Sequence, residues 1–146
     1  MSLQEVSDRL EIEQLLVRYC HAIDQRDWDT YRSVFTPDAK IDDVSAGTVD
    51  VDTMVRFLPK ALKRVRIAQH TISTMQLSID GDRASARTVC HCPMVVDVGD
   101  GDEQLMFQGL WYVDELRRTD AGWRIARRSE VGYFAENVPE GFSFND

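Results

Sequence analysis

The sequence predicts an α+β fold, with N-terminal helices laid against one face of a curved antiparallel sheet. Apolar residues recur at helical spacing up to Gln69, and from there the period changes from about 3.6 to 2. Helices first and strands afterwards, rather than an alternation of the two, describe the α+β class. The length of 146 residues sets a single domain over 1–146, long enough to bury roughly 70% of the surface its unfolded chain would expose.

Ile12, Leu15, Leu16, Tyr19 and Ile23 form one apolar stripe on a helix expected from about Ser7 to Asp24. Asp27 reads as the N-cap of a short second helix whose inward residues are Trp28, Tyr31, Val34 and Phe35, stopped at Thr36-Pro37-Asp38. AKIDDV is a short strand or extended segment. VDVDTMVRFLPKALKRV is a third helix, capped by Asp50 or Asp52 and bent or restarted at Pro59. HTISTMQLSID and RASARTVCHCPMVVDV are then two strands of a hairpin turning at Asp80-Gly81-Asp82. GDGDE and Thr119-Asp120-Ala121-Gly122 are the turns that flank LMFQGLWYVDEL and lead into WRIARRSEVGYF. The tail, 137–146, is expected as loop and as a candidate cover for a pocket.

A net charge of −8 and a pI near 4.8 argue against a nucleic-acid partner, since phosphate contacts need a basic face. The basic run RRTDAGWRIARR reads as a solvated strand face. MSLQEVSDRLEIEQLL lacks the apolar core of a signal peptide, and no apolar run approaches the ~20 residues that cross a bilayer. Cys20, Cys90 and Cys92 fit a reduced, cytoplasmic protein. Cys90-His91-Cys92 sits on a strand whose alternation points the thiols one way and the imidazole the other, so no metal is expected.

The candidate chemistry begins in RYCHAIDQRDWD, residues 18–29. A phenol on the buried stripe, Tyr19, and a carboxylate at the helix end, Asp24, each need a partner or a job, because burying either unpaired costs about 1–3 kcal/mol or more. His70 opens the first long strand and shares a face with Ile72, Thr74 and Gln76. A carboxylate bound to one histidine nitrogen fixes the tautomer and leaves the other nitrogen as a base. A nearby phenol can donate to an oxygen on which charge develops. Asp24, His70 and Tyr19 would thus abstract a proton without a cofactor.

IEQLLVRYCHAIDQRDWDTYRSVFTPDAKID resembles the opening of the SnoaL-like branch of the nuclear-transport-factor-2-like superfamily. The resemblance continues through Gln69-His70 to YVDELRRTDAGWRIARR and covers nearly the whole chain. It implies a cone-shaped barrel. Asp24 and His70 match the catalytic pair of scytalone dehydratase, whose second histidine falls near Met94 and whose pocket tyrosine falls near Asp43, so two of its parts are absent. They also match the dyad of hexachlorocyclohexane dehydrochlorinase, whose arginine matches Arg128 and whose lysine is replaced by Tyr19. Bile-acid 7α-dehydratase shares the spacing of Tyr19 and Asp24. Ketosteroid isomerase is similar in another way: its oxyanion tyrosine matches Tyr19, its base matches Asp43 and its neutral aspartate loosely matches Asp114.

Three functions stand open. The first is a cofactor-independent, dehydratase-type lyase with His70 as base, Asp24 orienting it, Tyr19 hydrogen-bonding the developing oxyanion or protonating the departing hydroxyl, and Arg128 holding substrate or a leaving anion. Leu15, Leu16, Phe35, Met54, Phe57, Leu58, Met94 and Phe107 would wall a site for a small hydrophobic, polycyclic or aromatic substrate. The second is an isomerase using Asp43 and Tyr19, with Asp114 in support. The third is a non-catalytic ligand-binding module, which the fold alone does not exclude. The resemblance implies a homo-oligomer, trimer ahead of dimer. Trp111 and Tyr112 point opposite ways on their strand, so one of them is a candidate contact.

Overall fold

The structure, a computed structural model, describes residues 1–146. The first helix, α1 (Leu3–Asp24), starts earlier than its apolar stripe suggests, because Ser2 caps it by accepting the Glu5 N–H at 3.1 Å. Its face of Ile12, Leu15, Leu16, Tyr19, Cys20 and Ile23 is buried. Asp8 is buried with them: Arg118 grips its carboxylate at 2.7 and 2.9 Å, and Trp123 donates its indole N–H at 3.1 Å.

Asp27 caps α2 (Trp28–Ser33), accepting from the Thr30 N–H at 3.1 Å. Strand β1 (Phe35–Asp43) follows at once, so Phe35 begins a strand rather than ending a helix. Asp50 ends the short β2 (Gly47–Asp50) and caps α3 (Val51–Ala61) through the Thr53 N–H. Pro59 does not restart α3: the helix runs through it and stops at Ala61, short of the expected end, and the chain turns over 62–64 into a strand that begins at Val65.

The remaining strands are β3 (Val65–Ala68), β4 (Thr71–Asp80), β5 (Arg83–Gly99), β6 (Asp102–Thr119) and β7 (Gly122–Glu136). They form one sheet in the order β2-β1-β7-β6-β5-β3, with β4 also paired to β5. The sheet is mixed rather than wholly antiparallel, because β1 runs parallel to β7. It curls around the helices into an open cone. A bulge between Ser73 and Gln76, with Thr74 at φ 49°, breaks the alternation of β4. Ile72, Met75, Leu77 and Ile79 therefore pack on the core while Thr74 and Gln76 are exposed, which corrects the expected His70/Thr74/Gln76 face. No helix is long and apolar enough to cross a membrane.

Candidate active site

The wide end of the cone leaves a cavity between the C-terminal half of α1, helix α3 and the inner face of the sheet. Its empty volume is about 650 Å³ counting the open mouth. Met54, Phe57 and Leu58 from α3 wall one side, and Met94 and Leu110 from the sheet another. From the tail, Phe144 reaches the cavity, stacked edge-on against Phe142 with ring centroids 5.0 Å apart.

Asp24 and His70 meet at this cavity. The Asp24 carboxylate lies 2.6 Å from His70 Nδ1 through one oxygen and accepts the His70 backbone N–H at 2.9 Å through the other. The last residue of α1 thus holds both the ring and the backbone of the loop entering β4. His70 stands just before that strand, not within it. Its side chain is 8% exposed, and it lines the cavity while Asp24 stands behind it. With Nδ1 engaged, Nε2 is the nitrogen left for a ligand. Cys92 Sγ lies 3.5 Å from Nδ1.

Tyr19 also lines the cavity, its ring centroid 5.6 Å from that of Tyr112 and set edge-on to it. Burial pushes its phenol well above the ordinary tyrosine range, so it stays a donor. Behind the two phenols lies Arg128, 1% exposed, its guanidinium 4.2 Å from the Tyr19 ring centroid and 3.8 Å from that of Tyr112. Asp114 neutralises it through two contacts at 2.7 and 2.8 Å.

These positions correct part of the expected site. Arg128 and Asp114 are not on the cavity wall; they form a closed ion pair beneath it, so Arg128 is not placed to hold a leaving anion and Asp114 is not the free neutral acid of an isomerase. Leu15, Leu16 and Phe35 are packed in the core, Phe35 with its ring 6.0 Å from Tyr19 and 5.2 Å from Tyr31. Phe107 faces outward against His91 and Phe134, because Met106 and Gln108 take the inward positions of β6. Met54, Phe57, Leu58, Met94 and Asp43 are on the wall.

Sequence reasoning passed over Glu130, Tyr112, Gln108 and Tyr133, all of which line the cavity. Glu130 was within reach: it lies two residues after Arg128, on the same face of β7. Its carboxyl shares the cavity wall with that of Asp43 and accepts the Val44 N–H at 2.9 Å. Loss of solvation and then the Asp43 charge push Glu130 up to about 8. Tyr133 donates to Gln108 Oε1 at 2.8 Å. No group of three or more His, Cys, Asp or Glu side chains is arranged to hold a metal ion.

An open α+β cone with a cavity at its wide end is the architecture of a known family, and the comparisons place the chain within it. Residues 4–129 match the SnoaL-like domain, and the chain belongs to that family. It is 45% identical over 136 residues to uncharacterized proteins of Mycobacterium tuberculosis and Mycobacterium bovis, covering 92% of this chain and 91% of each of theirs. Among solved structures it is similar to Kfla4162 from Kribbella flavida, at 26% identity and TM-score 0.81, covering 91% of this chain and 95% of that one. It shares its fold with a hexachlorocyclohexane dehydrochlorinase of type 2, at 16% identity and TM-score 0.79, over 95% of this chain and 98% of that one. It shares it too with a protein of Novosphingobium aromaticivorans assigned as a scytalone dehydratase, at 15% identity and TM-score 0.80, over 98% and 95%.

Proposed function

We propose that the cavity is the active site of a cofactor-independent lyase of dehydratase type. The observation that carries this reading is the 2.6 Å contact between Asp24 and His70 at a cavity walled mostly by apolar side chains. His70 Nε2 takes a proton from a carbon beside a carbonyl. Asp24 holds the tautomer that leaves this nitrogen bare and stabilises the imidazolium that forms. Tyr19, supported by Tyr112, donates to the carbonyl oxygen as negative charge gathers there. Arg128 acts through the rings it touches, as a positioning residue. The apolar wall favours a small hydrophobic, aromatic or polycyclic substrate bound without nucleic acid or membrane.

The solved relatives named for scytalone and hexachlorocyclohexane chemistry supply the first substrates to try. Turnover of hydroxylated bicyclic ketones and of chlorinated cyclohexanes, followed for the wild type, His70→Ala and Asp43→Asn, separates the readings. A lyase loses roughly 10²–10⁴-fold or more with His70→Ala, the usual worth of a positioned base. An isomerase keeps most of its activity in His70→Ala and loses it in Asp43→Asn. A binding module turns over nothing and binds regardless. The pairing of Asp43 with Glu130 disfavours the isomerase, because that carboxylate is already engaged.

We further propose a homo-oligomer, trimer ahead of dimer, paired through the outer sheet face. Trp111 is 39% exposed there beneath Arg87, and Phe134 is 52% exposed. Sedimentation of the intact chain as a monomer would contradict this. The three unpaired cysteines suit a reducing, cytoplasmic setting.

A further inference from the structure

The lyase reading leaves two carboxyl groups at the cavity without a role. Asp43, at the end of β1, accepts the Ser45 and Ala46 backbone N–H groups at 2.8 Å each. Glu130, on β7, receives one backbone N–H, from Val44, and its other polar contact is the Asp43 carboxyl. Two adjacent carboxyls share one proton, and the member with fewer donors keeps it. Glu130 therefore carries an O–H at the wall of the cavity that also holds His70. The sheet order separates their strands, with β6 and β5 between β7 and the loop of His70. One substrate lying across the cavity meets a base from the β4 side and an acid from the β7 side.

We propose that Glu130 is the general acid of this site, protonating the departing oxygen, and that the substrate is accordingly a β-hydroxy carbonyl compound rather than a halide. This rests on the lyase reading and narrows it. His70 removes the proton beside the carbonyl, and that electron pair becomes the new C=C bond. The C–O bond breaks, and its oxygen takes the Glu130 proton and leaves as water. The His70 imidazolium then loses its proton to solvent, and Glu130 regains one. No co-reactant is needed.

Other groups bear on that proton. Arg128, on the same strand, lowers the proton affinity of Glu130, while Asp43 raises it. The phenols of Tyr19, Tyr112 and Tyr133 stand at the same cavity as neutral donors, with His70 at its other side. Burial and the Asp43 charge together leave Glu130 titrating near 8, so it holds its proton at neutral pH.

The test has two arms. In the first, the intact chain labelled with ¹³C-glutamate is titrated by NMR, with Glu130→Gln to assign the signal. Glu130 should ionise well apart from the other glutamates, and Asp43→Asn should lower its midpoint. A midpoint among the ordinary glutamates overturns the proposal whether or not any substrate is found. In the second, 3-hydroxy-1-tetralone and 3-chloro-1-tetralone are compared above their spontaneous elimination. Chloride leaves without a proton and hydroxide does not. Glu130→Gln should cost the alcohol roughly 10²–10⁴-fold more than the chloride. Equal losses on both overturn the acid role while leaving His70 as base. Loss of neither substrate in His70→Ala overturns the lyase reading itself.

Discussion

Asp24 binds His70 twice, at the ring and at the backbone, so a substitution there acts on geometry as well as charge. Beneath the site, Arg128 and Asp114 are 1% exposed each and hold one another through a two-point contact. Removing one partner of such a pair leaves an uncompensated buried charge. Asp114→Asn should therefore cost about 3–5 kcal/mol in urea unfolding, well beyond an ordinary surface change. A cost under about 1 kcal/mol would show the pair to be solvated. Glu130 gives a second check with a definite sign. Between pH 4.5, the ordinary glutamate value, and about 8 the folded chain holds a proton that the unfolded chain has lost. Stability should fall as pH rises through that window and level off above it, and Glu130→Gln should flatten the slope in thermal melts. Burial and a neighbouring carboxylate work against the fold here, which is consistent with the chemical role proposed for Glu130.

The elements explain what could and could not be read from the chain alone. Helix α1 was legible because Ile12, Leu15, Leu16, Tyr19 and Ile23 repeat at 3.6-residue spacing, and the hairpins because Gly81 and Gly122 mark their turns. The start of α1 was not, since its first two turns bury only Asp8, and a buried aspartate has no periodic signature. Its partners lie 110 and 115 residues away, at Arg118 and Trp123. Asp8→Ala should leave the Trp123 indole N–H buried and unsatisfied, at a cost of about 1–3 kcal/mol. Thermal melts of that variant indistinguishable from wild type would count against it. Local rules also failed on β4, where the Thr74 bulge shifts every later side chain to the other face. The same parity, correctly applied to β6, turns Phe107 outward, and applied to β7 places Glu130 beside the buried Arg128. The parallel pairing of β1 with β7 joins segments distant in sequence, and nothing local announces it.

Taken whole, the molecule is a cone that places the proposed site where three distant segments converge. The C-terminus of α1 supplies Asp24 and Tyr19, the loop before β4 supplies His70, and the paired strands β1 and β7 supply Asp43 and Glu130. The family and cone were legible because the N-terminal motif and the change of period reach across most of the chain. The carboxyl pair was not, because it depends on a strand pairing that only the folded sheet reveals. Everything proposed for function turns on which His70 nitrogen is free. The measurement that decides it is a long-range ¹H–¹⁵N spectrum of the neutral His70 ring, in wild type and in Asp24→Asn. The proton should sit on Nδ1, facing Asp24, with Nε2 bare, and that preference should weaken in Asp24→Asn. A proton fixed on Nε2, or a ring indifferent to Asp24, would remove the base from the site and contradict the lyase.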